Sequence, residues 1–148
     1  MVSGKSIVVT GAASGIGRAC ARRLLDDGNR IVAVDLDRGS LEKNFGPETG
    51  ELQYFAGDVA RTATADGAAA VALDAFGGID GLAHFAAAHS KLNWERADED
   101  EFNRIMSINV TGPFLMAKAC AKVMGVLRGS IRSLVKTKSC YGGGKCAL

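Results

Sequence analysis

Thr10-Gly11-Ala12-Ala13-Ser14-Gly15-Ile16-Gly17 decides the reading of this chain. The apolar, β-branched run Ile7-Val8-Val9 leads into it, and residues 16–27 carry apolar side chains at helical spacing. The stretch is therefore the turn of a strand, turn, helix unit. Gly11 permits a tight turn after the strand, while Gly15 and Gly17 let backbone, helix and ligand approach closely. A helix starting there offers unpaired N–H groups and the positive end of its dipole to an anion, and Ser14 adds a hydroxyl donor. The pyrophosphate of a dinucleotide suits such a cradle. A lone glycine-rich segment is a weak signal, equally a plain structural turn, and its context is what strengthens it.

Working outward, Gly28 stops the first helix and Ile31-Val32-Ala33-Val34 forms a second buried strand. Asp35 stands at the C-terminal end of that strand, 18 residues after Gly17. A carboxylate there accepts hydrogen bonds from the adenosine ribose hydroxyls and repels a 2′-phosphate, which favours NAD over NADP. Arg38 nearby works the other way, and the bland alternative for Asp35 is a helix cap. Leu52-Gln53-Tyr54-Phe55 reads as a third strand, residues 63–76 as an alanine-rich helix and residues 79–85 as a fourth strand. One long helix is expected over 99–124, kinked or broken by Pro113. Residues 39–50, with Pro47, are expected to form a surface loop. The alternation predicts a doubly wound, Rossmann-like α/β fold with a parallel sheet, incomplete on its C-terminal side, where the pattern degrades after Met124.

At 148 residues the chain suits a single domain, residues 1–148, able to bury a core without disulfide or metal staples. Hydrophobic residues make up 47% and charged residues 23%, with no long uncharged apolar stretch, so no membrane partner is expected. The N-terminus carries no signal-peptide pattern, and a cytoplasmic location is expected. A net charge of +2, from 18 basic and 16 acidic residues, gives no case for nucleic acid. The basic bias of Arg128, Arg132, Lys136, Lys138 and Lys145 reads as a solvated terminal segment. Cys20, Cys120, Cys140 and Cys146 lack Cys-x-x-Cys spacing, and His84 and His89 lack ligand company, so metal binding is not expected.

The Thr-Gly-x-x-x-Gly-Ile-Gly spacing resembles that of the short-chain dehydrogenase/reductase family, and the similarity extends over residues 5–124 and again over 139–148. By that resemblance Asp58-Val59 is the pair whose carboxylate and following backbone meet the adenine, although a plain strand-end turn explains it equally. His84-Phe85-Ala86-Ala87 falls where the family usually carries Asn-Asn-Ala-Gly. Loss of both amides removes bonds that brace the sheet, while backbone contacts to the cofactor ribose are retained at Phe85 or Ala86. His84 is read as a packed substitute. Asn109, in Ile108-Asn109-Val110, resembles the asparagine that holds a water linking the catalytic lysine to solvent; it also reads as an asparagine satisfying backbone at a helix irregularity.

Tyr141 and Lys145 stand four apart, on one face of a helix. In that geometry the ammonium and a bound ribose lower the phenol's pKa, so the tyrosine serves as acid and base. Gly142, Gly143 and Gly144 between them cost about 1 kcal/mol each in a helix interior, and the segment is expected to fray without tertiary support. The family's carbonyl-polarising serine has two alignments. In one, Gly129-Ser130-Ile131 opens a fifth strand and the serine has been shortened away; in the other, preferred, Ser130 is that serine. Together these imply NAD-dependent hydride transfer between nicotinamide and a small-molecule alcohol or carbonyl substrate. The alternative is a truncated, catalytically impaired dinucleotide-binding fragment. The resemblance also admits a homo-oligomer, paired through the 99–124 helix and the one beginning at Tyr141.

Overall fold

Four short apolar strands meet side by side in a computed structural model that describes residues 3–124. They are β1 (Ser6–Thr10), β2 (Arg30–Asp35), β3 (Leu52–Ala56) and β4 (Gly81–His84), all parallel, in the order β3-β2-β1-β4. The helices are α1 (Gly15–Asp26), α2 (Arg38–Phe45), α3 (Thr62–Phe76), α4 (Glu99–Met106) and α5 (Gly112–Val123). Because strand side chains alternate in direction, neighbouring residues feed different cores. Val8, Val32 and Val34 pack with α3 and α5, whereas Val9, Ile31 and Ala33 pack with α1 and α2. The sheet is thus covered on both faces, which is the doubly wound arrangement expected.

Register is set by the burial. Val8 sits beside Val32 and Leu82, and Val9 beside Ala33 and Ala83, so a one-residue slip would turn each strand's apolar set to the wrong core. The start of β4 is also clamped to β1 by polar contacts. The Ser6 N–H donates to Asp80 Oδ2 at 2.9 Å and the Asp80 N–H to the Ser6 carbonyl at 2.7 Å. The Ser6 backbone, more than the Lys5 ammonium at 3.2 Å, holds the Asp80 carboxyl below its usual range. On the far face, Ala65, Ala68, Ala69 and Ala72 of α3 keep that helix close to the sheet.

Two expectations are corrected. Residues 39–50 are not one loop, since α2 occupies Arg38–Phe45 and only residues 46–50 are irregular. Gly39, Ser40 and Asn44 are poor helix formers, but Asp37 caps the helix by accepting from the Gly39 N–H at 2.9 Å and the Ser40 hydroxyl at 2.6 Å. Fully buried Leu41 then anchors it. The 99–124 helix is interrupted ahead of Pro113, by a π-helical turn at Ser107–Thr111 in which the Gly112 N–H donates to the Ser107 carbonyl. Pro113 sits in the first turn of α5, and because it has no N–H it leaves the carbonyl of Asn109, four residues back, without its helical donor.

Replacing Leu41 with alanine removes the anchor of α2 and is expected to cost about 2–4 kcal/mol in urea unfolding followed by circular dichroism. A change well under 1 kcal/mol would show that α2 is not held by this side chain.

Candidate functional site

The chain runs from β1 to β2 and β3 on one side, then crosses over to β4 on the other, so the carboxyl ends of β1 and β4 frame a topological switch point. Ligands of open α/β sheets bind in the crevice outside such a point. The glycine turn lies there. Gly11 has φ +66°, and a Cβ on it would meet the Ala86 nitrogen at 2.8 Å and the Phe85 carbonyl carbon at 2.9 Å. A Cβ on Gly17 would run into the Gly11 carbonyl oxygen. Both glycines are therefore required by close approach of backbone to backbone. Among the described residues nothing lies within 4 Å of a would-be Cβ on Gly15, and what the chain itself asks of this glycine is the left-handed φ of +49°.

α1 begins with its ligand-facing groups unspent. Ser14, the N-cap, is exposed and makes no side-chain capping bond, and no acidic residue stands in the first turn. The N–H groups of Gly15, Ile16 and Gly17 have no carbonyl one turn earlier to receive them. Ile16 is 61% exposed at the same end. These groups and the helix dipole make a fit for a phosphate, with space open in front of Gly15.

Asp35 faces this turn from the end of β2. Its Oδ2 accepts from the Ala13 N–H at 2.9 Å and its Oδ1 from the Leu36 N–H at 2.8 Å. It caps no helix, that role belonging to Asp37. A carboxylate offers about four acceptor positions, so about two remain beyond these bonds. Leu36 beside it is 71% exposed. Asp58 comes just after β3 and braces its own turn, accepting from the Ala60 N–H at 2.9 Å. It also lines a cleft of about 310 Å³ with Ala60, Arg61, Arg104, Ser107 and Ile108. The Val59 side chain is core, 5% exposed, and packs where Gly112 leaves room.

At the end of β4 the backbone donors are already engaged. The N–H groups of Phe85 and Ala86 are not free for a ligand, because both donate to the buried Thr10 hydroxyl, at 3.1 and 3.2 Å. Thr10 thus fastens the crossover segment to β1. Sequence reasoning gave it no role, although its place immediately before Gly11 was the available signal. Asn109, in the π-helical turn, completes the frame. Its Nδ2 donates to the Ala88 carbonyl at 2.7 Å and its Oδ1 accepts from the Ala88 N–H at 2.8 Å. Pro113, four residues on, cannot supply the usual helical donor to the Asn109 carbonyl. Arg104, paired to both Glu101 carboxylate oxygens at 2.7 and 2.9 Å, steadies the start of α4.

His84 is packed, but poorly satisfied. Neither ring nitrogen has a hydrogen-bond partner among the described residues. Burial pushes the imidazole down to about 4, opposed only in part by the Ala86 backbone. Of the two described cysteines, Cys120 is buried and its thiol is pushed up to about 12, unsuited to nucleophilic work. Among the described residues no three His, Cys, Asp or Glu side chains gather as a metal site. Nor is any helix among them long and apolar enough to cross a membrane.

This arrangement has counterparts. The family model for short chain dehydrogenases matches residues 5–147. The chain belongs to the short-chain dehydrogenase family. It is 36% identical over 142 residues to a 2,5-dichloro-2,5-cyclohexadiene-1,4-diol dehydrogenase of Sphingobium indicum, covering 95% of this chain and 56% of that protein. A D-threitol dehydrogenase of Mycolicibacterium smegmatis is 37% identical over 126 residues, covering 83% of this chain and 48% of that one. The solved 3-ketoacyl-(acyl-carrier-protein) reductase of Brucella melitensis, complexed with NADH, superposes with a TM-score of 0.74 at 33% identity, over 82% of this chain and 50% of that chain. The chain spans about half the length of the relatives it matches. Ser130, Tyr141 and Lys145, the residues that resemble the short-chain dehydrogenase catalytic set, lie outside the described residues.

The His84 environment has a pH consequence. Its folded pKa lies below the unfolded value of about 6.5, so protonation favours the unfolded chain; the stability is present above about pH 6.5 and lost as pH falls toward about 4. Chemical denaturation is expected to show a loss of up to about 2 kcal/mol between pH 7 and pH 5, absent in His84→Asn. Equal pH slopes for the two chains would refute the assignment.

Proposed function

We propose that the chain binds NAD at the switch point and serves hydride transfer between the nicotinamide and a small-molecule alcohol or carbonyl, in the cytoplasm. The observation that carries this is the packing of Gly11 and Gly17, which opens the uncapped start of α1 opposite the Asp35 carboxylate. The cofactor's pyrophosphate rests on the N–H groups of Gly15, Ile16 and Gly17 with the Ser14 hydroxyl, and Asp35 takes the adenosine ribose hydroxyls. The adenine is taken by the Asp58 turn, at the backbone of Val59, with exposed Leu36 and the cleft beside Asp58 as supporting observations. Phe85 and Ala86 contribute carbonyls rather than N–H groups to the nicotinamide ribose.

When bound, NAD supplies the hydride acceptor; the chain supplies the proton chemistry. By resemblance Tyr141 gives or takes the substrate proton, Lys145 lowers the phenol's pKa, and Ser130 polarises the carbonyl. Asn109 relays the proton outward, its carbonyl holding a water while its side chain keeps the Ala88 clasp. A second reading, dinucleotide binding without turnover, is favoured by His84, whose two ring nitrogens have no partner among the described residues, at the position where the resemblance to the family places an amide.

Calorimetric titration should show NAD binding, and Tyr141→Phe should abolish NADH formation across a panel of secondary alcohols and diols while leaving that binding intact. Binding with no NADH formation by the unaltered chain would select the second reading, and no binding would overturn both.

We also infer a homo-oligomer. Phe102, Met106, Val110 and Phe114 are 61, 40, 54 and 63% exposed and recur every four residues along α4, the π-helical turn and α5. Acidic Glu99 and Asp100 lie at one end of that stripe and Lys118 and Lys122 toward the other, so an antiparallel second copy pairs opposite charges. Light scattering should report a dimer or higher species that Val110→Lys converts to monomer; a monomeric unaltered chain would refute it.

A further inference from the structure

The dinucleotide reading sets the sign of charge around the adenosine ribose, and one cation stands close by in sequence. Arg38 opens α2, three residues after Asp35. A guanidinium just beyond the second strand of such a fold is well suited to donate bidentately to a ribose 2′-phosphate. Here it is engaged elsewhere. Its Nε donates to Glu42 Oε1 and its Nη2 to Glu48 Oε2, each at 2.8 Å. The guanidinium also lies 5.6 Å from the centre of the Tyr54 ring.

Glu48 is itself aimed from behind. Its other oxygen, Oε1, accepts from the Tyr54 N–H at 2.8 Å, and the Tyr54 hydroxyl donates to the Gly46 carbonyl at 2.7 Å, tying the loop that carries Glu48 to β3. A single exposed ion pair contributes little. In this case partners from α2, the following loop and β3 converge on one side chain, and two carboxylates more than cancel its charge. Asp35 and Asp37 also stand within three residues of Arg38 in sequence, so carboxylates outnumber the single guanidinium in this stretch.

We propose that Glu42 and Glu48 are positioning residues for cofactor choice: they hold Arg38 against Tyr54 and neutralise it, so that a latent phosphate-binding arginine is silenced and NAD is preferred. The proposal rests on the dinucleotide site described above. It makes the preference a property of Asp35 together with the clamp, instead of Asp35 alone.

Calorimetry on the full chain with NAD and with NADP tests it, using Glu42→Gln/Glu48→Gln and the same pair combined with Arg38→Gln. Glutamine keeps the side-chain length and leaves an oxygen for the Tyr54 N–H. The ratio of NADP to NAD affinity is expected to rise about tenfold in the double variant, the size of one charge-assisted hydrogen bond, and to return to the starting ratio in the triple variant. An unchanged ratio in the double variant overturns the proposal. So does a rise that survives removal of Arg38, which would be a general effect of lost negative charge. Glu42→Gln alone, altering only the contact with Arg38, is expected to move the ratio the same way by a smaller factor and settles the matter should the double variant not fold. Absence of NAD binding by the unaltered chain sinks the dinucleotide reading, whereas NAD binding with an unmoved ratio sinks only the clamp.

Discussion

Three backbone segments converge where β1 ends, with no room for a side chain between them. The Gly11 carbonyl touches Gly17 in the first turn of α1, and Gly11 itself lies against the Phe85–Ala86 peptide that leaves β4. The rest of the site depends on this approach. It sets where α1 starts, and hence where its unpaired N–H groups point. It also brings the crossover segment near enough for the Thr10 hydroxyl to accept both of its N–H groups. A methyl group at either glycine would force backbone apart, and no rotamer change relieves a clash with backbone.

Around that point the protein spends polar contacts on holding segments in place. Asp35 is fixed by Ala13 and Leu36, Asp58 by Ala60, and Asn109 by both polar groups of Ala88. Each of these side chains thus works as a structural brace, and Asp35 and Asn109 retain acceptors beyond the bonds they make. Preorganisation of this kind lowers the cost of ordering a ligand site on binding. His84 departs from the pattern, a buried titratable ring with no hydrogen-bond partner among the described residues, and its burial disfavours protonation.

Much of this was legible from residues alone. The β-branched runs at 7–9 and 31–34 mark buried strands, and the turn between β1 and α1 declares itself through its glycines and the carboxylate that comes after them. The hidden features have physical causes. α2 contains Gly39, Ser40 and Asn44, so local propensity argues against it, and the helix exists because Asp37 caps it and Leu41 is buried. Pro113 signals an irregularity, but its position is decided by a π-helical turn that lets Asn109 face Ala88. Thr10 looks like an ordinary strand residue until β4 is laid beside β1.

From the sequence by itself came the parallel α/β class and the choice of Asp35, because these depend on local spacing and on which residue types can adopt a given backbone or carry a charge; the glycine spacing also carried the family resemblance, and that resemblance implied Asp58 and Asn109 as candidate site residues. Tertiary structure alone decided which groups are already engaged. The Phe85 and Ala86 N–H groups are taken by Thr10, and the Arg38 charge is taken by Glu42 and Glu48. Hydrogen bonds and ion pairs saturate, so a residue's availability depends on neighbours distant in sequence. The physical reason lies in that competition: the chain order names the donors and acceptors, and only the fold determines which of them meet.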